Sequence, residues 1–114
     1  MRIGIDIEEV NRFLKYSHNK NYYKFLNRIF TKKEISYSFT KKRVAQHLAA
    51  RFAAKEAIWK MLNTKNIQLN ITDIAIHNEK NGKPKVFIKN KFNNNINLSL
   101  SHTKKYVVAV AIML

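Results

Sequence analysis

The sequence has 114 residues and no cysteine, and its 22 lysines and arginines against 7 aspartates and glutamates give a formal net charge of +15. The length indicates a single domain, 1–114, and the lack of cysteine excludes both a disulfide framework and a thiolate metal site. The 46% hydrophobic content argues against disorder. The charge indicates a polyanionic partner, or else a compositional bias towards lysine and asparagine.

The first half of the chain predicts one strand followed by helices. Its opening residues alternate with the period of a strand: Ile3, Ile5 and Ile7 against Gly4, Asp6 and Glu8. Segment 11–30 has loosely helical spacing. Thr31 and Glu34 form a capping box that begins a helix at 32–38. The alanine-rich segment 42–62 shows the clearest helical spacing in the chain.

The second half of the chain predicts strands at 71–77, 86–88, 96–101 and 106–112. The residues Asn81, Gly82 and Pro84 mark a turn between the first two strands, because Asn-Gly tolerates positive φ and proline cannot continue a ladder. The order of strand, helices and further strands predicts an α+β fold, with helices packed on a mostly antiparallel sheet.

Two acidic residues lie in the first predicted strand, although acidic residues are unfavourable there. Asp6 and Glu8 share one face of this strand, opposite the isoleucines. Periodicity alone favours an ordinary solvent-facing edge for the acidic face. A metal site is the functional alternative.

The long predicted helix carries a carboxylate next to its apolar stripe. Glu56 lies four residues after Phe52, and the spacing of Glu56 and Lys60 would also suit an ordinary helical ion pair. A strand carboxylate together with a helix carboxylate is the usual protein complement for magnesium, which keeps several waters and takes other oxygens from a phosphate. The cations Arg51, Lys55 and Lys60 would suit a phosphate-bearing ligand.

A histidine stands at the end of a predicted strand, between two hydroxyl residues. His102 follows Ser101 and precedes Thr103, an arrangement that suits either phosphate binding or a surface turn. The other histidines, His18, His47 and His77, are predicted to be surface or packing residues.

Taken together and in this order, these segments resemble the short, single-domain 4′-phosphopantetheinyl transferases, the holo-acyl-carrier-protein synthases. The resemblance spans nearly the whole chain, and its most specific part is the Arg-Phe-Ala-Ala-Lys-Glu-Ala run that begins at Arg51. The matching residues are Gly4 to Glu8, Arg28 to Thr31 with Glu34, Leu48 to Ala57, Asn81 to Pro84 and Leu98 to Thr103.

The resemblance implies transfer of 4′-phosphopantetheine from coenzyme A to a serine of an acidic acyl carrier protein, in cytoplasmic fatty-acid biosynthesis. It implies a homotrimer with sites between subunits, and Mg²⁺ held by Asp6 and Glu56. The implied catalytic residues are Glu56, as the base, and Lys60. The implied coenzyme-binding residues are Arg51, Lys55, Lys60, Asn81, Gly82, Pro84, His102 and Thr103. Arg12 and Arg28 fall in the region that meets the carrier.

The chain departs from the family's pattern at two positions. Trp59 stands where the family commonly has a small hydroxyl residue. Glu8 has the spacing of a third metal ligand in the longer, pseudo-dimeric class, although we expect a water in that position.

Two other functions remain open at this point. Aromatic residues among cations, such as Tyr22, Tyr23 and Phe25, would suit a small nucleic-acid-binding protein, but no nucleic-acid motif accompanies them. A degenerate family member without activity would not need Asp6, Glu56 and Lys60. We therefore expect neither a nucleic acid nor a membrane as partner.

Overall fold

A computed structural model describes residues 1–19 and 21–114 in full and residue 20 by its backbone. The α-helices are α1 (Leu14–Ser17), α2 (Tyr23–Leu26), α3 (Lys32–Phe39) and α4 (Val44–Leu62). The strands are β1 (Arg2–Glu9), β2 (Ile74–Asn78), β3 (Pro84–Ile88), β4 (Lys91–Phe92), β5 (Ile96–His102) and β6 (Tyr106–Met113). Short 3₁₀ helices span Val10–Phe13, Lys20–Tyr22 and Ile71–Asp73.

The strands form two antiparallel sheets of three strands each. The larger sheet has the order β1-β6-β5, and the smaller sheet has the order β2-β3-β4. The predicted α+β fold is therefore confirmed, with two sheets where the sequence predicted one. No helix among the fully described residues has the length and apolarity needed to cross a bilayer.

Helix α4 lies across the larger sheet and forms the centre of the core. Its small residues Ala53 and Ala57 are fully buried, as are Ala109 and Ala111 on β6. Gly4 lies beneath Ala57, and a Cβ atom on Gly4 would stand 1.9 Å from the Ala57 carbonyl oxygen. Small side chains on both surfaces therefore permit a close contact between β1 and α4.

Periodicity favours a β1 strand whose acidic face points to solvent, but in the structure the isoleucine face is the exposed one. Ile3, Ile5 and Ile7 are 62%, 59% and 61% exposed, whereas Asp6 and Glu8 are partly buried. The isoleucines pair across the sheet with Ile112, Val110 and Val108 of β6, so all six side chains share one face. We call this set the apolar sheet face.

The structure adds local detail to the sequence prediction at three places. Strand β2 begins at Ile74 because Asn70 and Asp73 cap a 3₁₀ turn before it. Lys89 and Asn90 adopt positive φ and form a tight turn into β4, a strand that was not predicted. Segment 11–30 forms several short helices.

Candidate active site

The β1–α4 contact brings together Asp6, Lys60 and Glu56. The Lys60 ammonium donates to Asp6 Oδ1 at 3.0 Å and to the Ile5 carbonyl oxygen at 3.2 Å. The second carboxylate oxygen, Asp6 Oδ2, is buried and has no hydrogen-bond partner. Glu56 lies one helical turn before Lys60 and is partly buried. We call Asp6, Glu56 and Lys60 the carboxylate cluster.

The acidic groups around this cluster repel one another. Burial, followed by the proximity and charge of the Asp6 carboxylate, raises the pKa of Glu8 to about 7, while Arg12 acts in the opposite sense. The Arg12 guanidinium lies 2.7 Å from the Glu8 carboxylate. Burial and the charge of Asp6 also raise the pKa of Glu56, with Lys60 and Arg12 opposing them. A bound cation would relieve this repulsion.

The residues present fit a magnesium ion. Among the fully described residues, no group of three or more histidine, cysteine, aspartate or glutamate side chains is arranged to enclose a metal. Magnesium needs no such enclosure, since it commonly binds one or two carboxylates and keeps several waters. The unpartnered Oδ2 atom of Asp6 supplies a donor, and Glu56 supplies a second carboxylate nearby.

The structure corrects the predicted placement of Lys55. Its side chain is fully buried, and its ammonium lies 2.7 Å from Glu34 Oε1. The same ammonium donates to the carbonyl oxygens of Ile29 and Ile74. Glu34 in turn accepts from the backbone amides of Thr31 and Ile76. Lys55 therefore joins α4 to α3 and β2 within the core and does not reach a phosphate at the surface.

Arg51 belongs to a different group of residues, on the α3 side of the helix. Its guanidinium carbon lies 4.1 Å from the centre of the Tyr37 ring. It donates to the His47 carbonyl oxygen at 3.1 Å and to the Asn78 side chain, and Asn78 donates to the carbonyl oxygen of Gly82 at 3.0 Å. Arg51 is thereby linked to the predicted coenzyme loop at Gly82.

His47 joins this group, although its sequence neighbours predict only a surface or packing residue. Burial lowers the pKa of its imidazole, and the positive charges of Arg51, Lys41 and His102 lower it further. The spacing of four residues from Arg51 was the available signal, because it places both side chains on one helical face. Cations crowded in this way favour an anionic ligand.

The remaining predicted coenzyme residues lie on turns near this second group. Gly82 adopts φ +85 within the exposed turn at Asn81 and Gly82, and Pro84 begins β3. His102 ends β5, and the Thr103 hydroxyl accepts from the amides of Lys105 and Tyr106. We call Arg51, His47 and His102, which lie near the Gly82 turn, the cationic cluster.

The two clusters lie on opposite sides of α4. Arg51 and Lys60 are nine residues apart, which corresponds to a rotation of about 180° and a rise of about 13 Å along the helix. A single copy of the chain therefore separates Lys60 from Arg51.

The comparisons with known proteins agree with this fold. Residues 2–111 match the family model of the 4′-phosphopantetheinyl transferase superfamily, and the chain belongs to that superfamily. The predicted family is thereby confirmed.

The curated relatives narrow the class to one kind of transferase. A holo-[acyl-carrier-protein] synthase of Thermodesulfovibrio yellowstonii is 44% identical over 97% of this chain and 96% of its own. A crystal structure of the Bacillus anthracis holo-(acyl-carrier-protein) synthase in complex with CoA (3′,5′-ADP) is 34% identical, with a TM-score of 0.76 over 98% of this chain and 94% of that one. The Helicobacter pylori synthase with coenzyme A is 25% identical, with a TM-score of 0.76 over 98% and 99%.

Proposed function

We propose that this chain is a holo-acyl-carrier-protein synthase, which transfers 4′-phosphopantetheine from coenzyme A to a serine of an apo-carrier protein. The observation that carries the proposal is the meeting of Asp6, Glu56 and Lys60 at the β1–α4 contact. The relatives with that name match almost the whole chain, so we assign the activity to one domain, 1–114. We assign the protein to the cytoplasm.

Asp6 and Glu56 would hold Mg²⁺, for which the buried and unpartnered Oδ2 atom of Asp6 is the main support. When bound, the ion would offset negative charge on the diphosphate of coenzyme A. Glu8 is the alternative to a water as a further ligand, because its carboxylate interacts with that of Asp6.

The chain's own residues would act on the proton and the leaving group. The serine oxygen attacks the β-phosphorus, the bond from that phosphorus to the bridging oxygen breaks, and 3′,5′-ADP departs. Glu56 would accept the serine proton, since its carboxylate lies in the carboxylate cluster beside Asp6 and Lys60. Lys60 is about half exposed and would stabilise the departing oxygens.

The cationic cluster would bind the nucleotide end of coenzyme A in a neighbouring copy of the chain. Arg51 lies on the opposite side of α4 from Lys60, so one chain does not present both to one diphosphate. Asn81, Gly82, Pro84, His102 and Thr103 would complete this end of the site. The exposed apolar sheet face supplies a surface for the association, and we assign a homotrimer.

The acidic carrier protein would approach the basic side of the carboxylate cluster. Arg12 is exposed and stacks on Phe13 and Phe52, and Arg28 is exposed on the segment after α2. The net charge of +15 would speed the encounter with an acidic partner.

Mass spectrometry of the carrier protein tests the activity. The chain is incubated with coenzyme A, Mg²⁺ and an apo-carrier protein, and the carrier should gain the mass of one phosphopantetheine. A carrier whose serine is replaced by alanine is the control. If the mass of the carrier that keeps its serine does not change, the proposal is contradicted.

A further inference from the structure

A niche of about 320 Å³ lies directly beside the carboxylate cluster. It is lined by Glu56, Trp59, Leu69, Asn70 and Ile71. Glu56 belongs to both the niche and the carboxylate cluster, so the two are continuous. Apart from Glu56, the lining residues carry no charge. The volume lies at the small end of the range for ligand pockets, which suits a part of a ligand.

Trp59 forms a wall of the niche and anchors the loop that closes it. Its indole N–H donates to the Leu69 carbonyl oxygen at 2.7 Å. Asn63 holds the same residue from the other side, because its side-chain oxygen accepts from the Leu69 amide at 3.0 Å. The Trp59 ring is nevertheless 38% exposed, so part of its surface is available to a ligand.

The charges around the niche indicate which part of coenzyme A the niche can bind. The phosphates require cations, which lie at Lys60 and in the cationic cluster across α4. The pantetheine arm has no charge, carries a geminal dimethyl group and two amides, and starts at the β-phosphate. Trp59, Leu69 and Ile71 offer apolar contacts to the methyl groups, and the exposed Asn70 amide offers hydrogen bonds to an amide of the arm.

We propose that this niche binds the pantetheine arm of coenzyme A and that Trp59 is a specificity-determining residue for the arm. The assignment rests on the proposed function, because the arm reaches the niche only if the diphosphate lies at the carboxylate cluster. An indole in this position adds an apolar contact to the group that is transferred.

Intrinsic fluorescence gives a direct test, because Trp59 is the only tryptophan in the sequence. The protein with Mg²⁺ is titrated with coenzyme A and, separately, with 3′,5′-ADP, which has the nucleotide but neither the β-phosphate nor the pantetheine arm. Coenzyme A should change the intensity and wavelength of the emission, and 3′,5′-ADP should change them little. An equal change with both ligands would place the adenine against Trp59 and overturn the proposal.

Calorimetry on two variants separates contact with the arm from anchoring of the loop. Trp59→Ala should weaken coenzyme A binding by about five- to tenfold, the contribution expected of an aromatic contact, and leave 3′,5′-ADP binding unchanged. Asn63→Ala loosens the same loop but keeps the indole ring, so it should alter the two affinities together. If Trp59→Ala also alters both affinities together, Trp59 is only a loop anchor and the proposal is wrong.

The outcomes distinguish this proposal from the proposed function. If coenzyme A binds and the carrier gains its phosphopantetheine while the emission of Trp59 does not change, only the niche assignment fails. If coenzyme A does not bind and the carrier is not modified, the function fails and the niche assignment fails with it.

Discussion

Negative charge at the carboxylate cluster exceeds what the neighbouring cations neutralise. The charge of Asp6 raises the pKa of both Glu8 and Glu56, Arg12 opposes this rise at both carboxyls, and Lys60 opposes it at Glu56. Lys60 already binds Asp6 Oδ1, which leaves Oδ2 without a partner. Such an arrangement costs folding free energy in the metal-free protein. We interpret this cost as the consequence of preparing a cation site.

Replacing Glu56 with glutamine should abolish transfer without unfolding the protein. Glu56→Gln removes a metal ligand and the proposed base, so we expect kcat/KM to fall by at least about 100-fold. The Tm without metal should stay the same or rise, because the raised pKa of Glu56 shows that its charge is unfavourable in the fold. Mg²⁺ should raise the Tm of the wild type but not that of the variant.

Glu79→Gln is a matched control, since that glutamate pairs with Lys85 on the smaller sheet. It should keep both the activity and the response to Mg²⁺. Wild-type turnover by Glu56→Gln with magnesium would remove Glu56 from the mechanism.

The role of Lys55 shows what the sequence could not reveal about single residues. Helical spacing places Lys55 on the face of Arg51, and the sequence could not tell a buried cation from an exposed one. Glu34 was predicted as part of a capping box, and the structure confirms that box. Its second oxygen contacts a strand 42 residues away, a distance over which local sequence patterns carry no information.

At the scale of elements, the contact between β1 and α4 determines the geometry of the site. Asp6 reaches Lys60 because Gly4, one step earlier on the same face, lets the strand approach the helix backbone. The glycine of the opening motif is thus required for packing. Its role follows from the 1.9 Å contact that a Cβ atom would make with Ala57.

Replacing Gly4 with alanine should push β1 away from α4. We expect Gly4→Ala to lower the stability by about 2–3 kcal/mol, the upper part of the range for overpacking a core. It should also raise the Mg²⁺ concentration needed for half-maximal activity, because Asp6 moves away from Glu56. Chemical denaturation and a magnesium titration of the rate measure the two effects.

Gly82→Ala is the comparison for Gly4→Ala, since a Cβ atom there meets nothing within 4 Å. It should cost only about 1 kcal/mol, through its positive φ, and it serves as a comparison for stability alone. A Gly4→Ala protein with wild-type stability would show that β1 and α4 tolerate a wider spacing.

The elements themselves were largely predictable, and the errors have physical reasons. Alanine-rich helical spacing identified α4 to within two residues, and the capping box identified the start of α3. The alternation in β1 identified the strand, but it did not show which of its two faces packs against α4. Periodicity shows only that two faces differ, and the choice between helix and solvent depends on the tertiary contact made through Gly4.

At the scale of the whole molecule, the apolar sheet face needs a cover. Three isoleucines, each about 60% exposed, lie beside the valines and isoleucine of β6, and exposed apolar patches of this kind mark interaction sites. Association of chains through this face would bury it.

A charge in the centre of the apolar sheet face should separate the chains. Ile5→Glu should shift the mass measured by light scattering from three chains towards one, because an unpaired carboxylate would be buried in the interface. Transfer activity should fall with the trimer. Ile67→Glu is the control, because Ile67 is 42% exposed and lies outside both sheets; this variant should stay trimeric. If the Ile5→Glu protein also stays trimeric, the interface lies elsewhere.

Mixed trimers test whether one site draws on two chains. Arg51→Ala and Glu56→Gln should each be inactive alone, since each lacks one half of every site. After co-expression in equal amounts, about a quarter of the interfaces would combine an intact Arg51 with an intact Glu56 from the neighbour, as random assembly of a cyclic oligomer requires. Activity should therefore return to about that fraction of the wild-type rate. If both residues served the same site within one chain, no mixture would restore activity, and the separation of the two clusters by α4 would have no catalytic meaning.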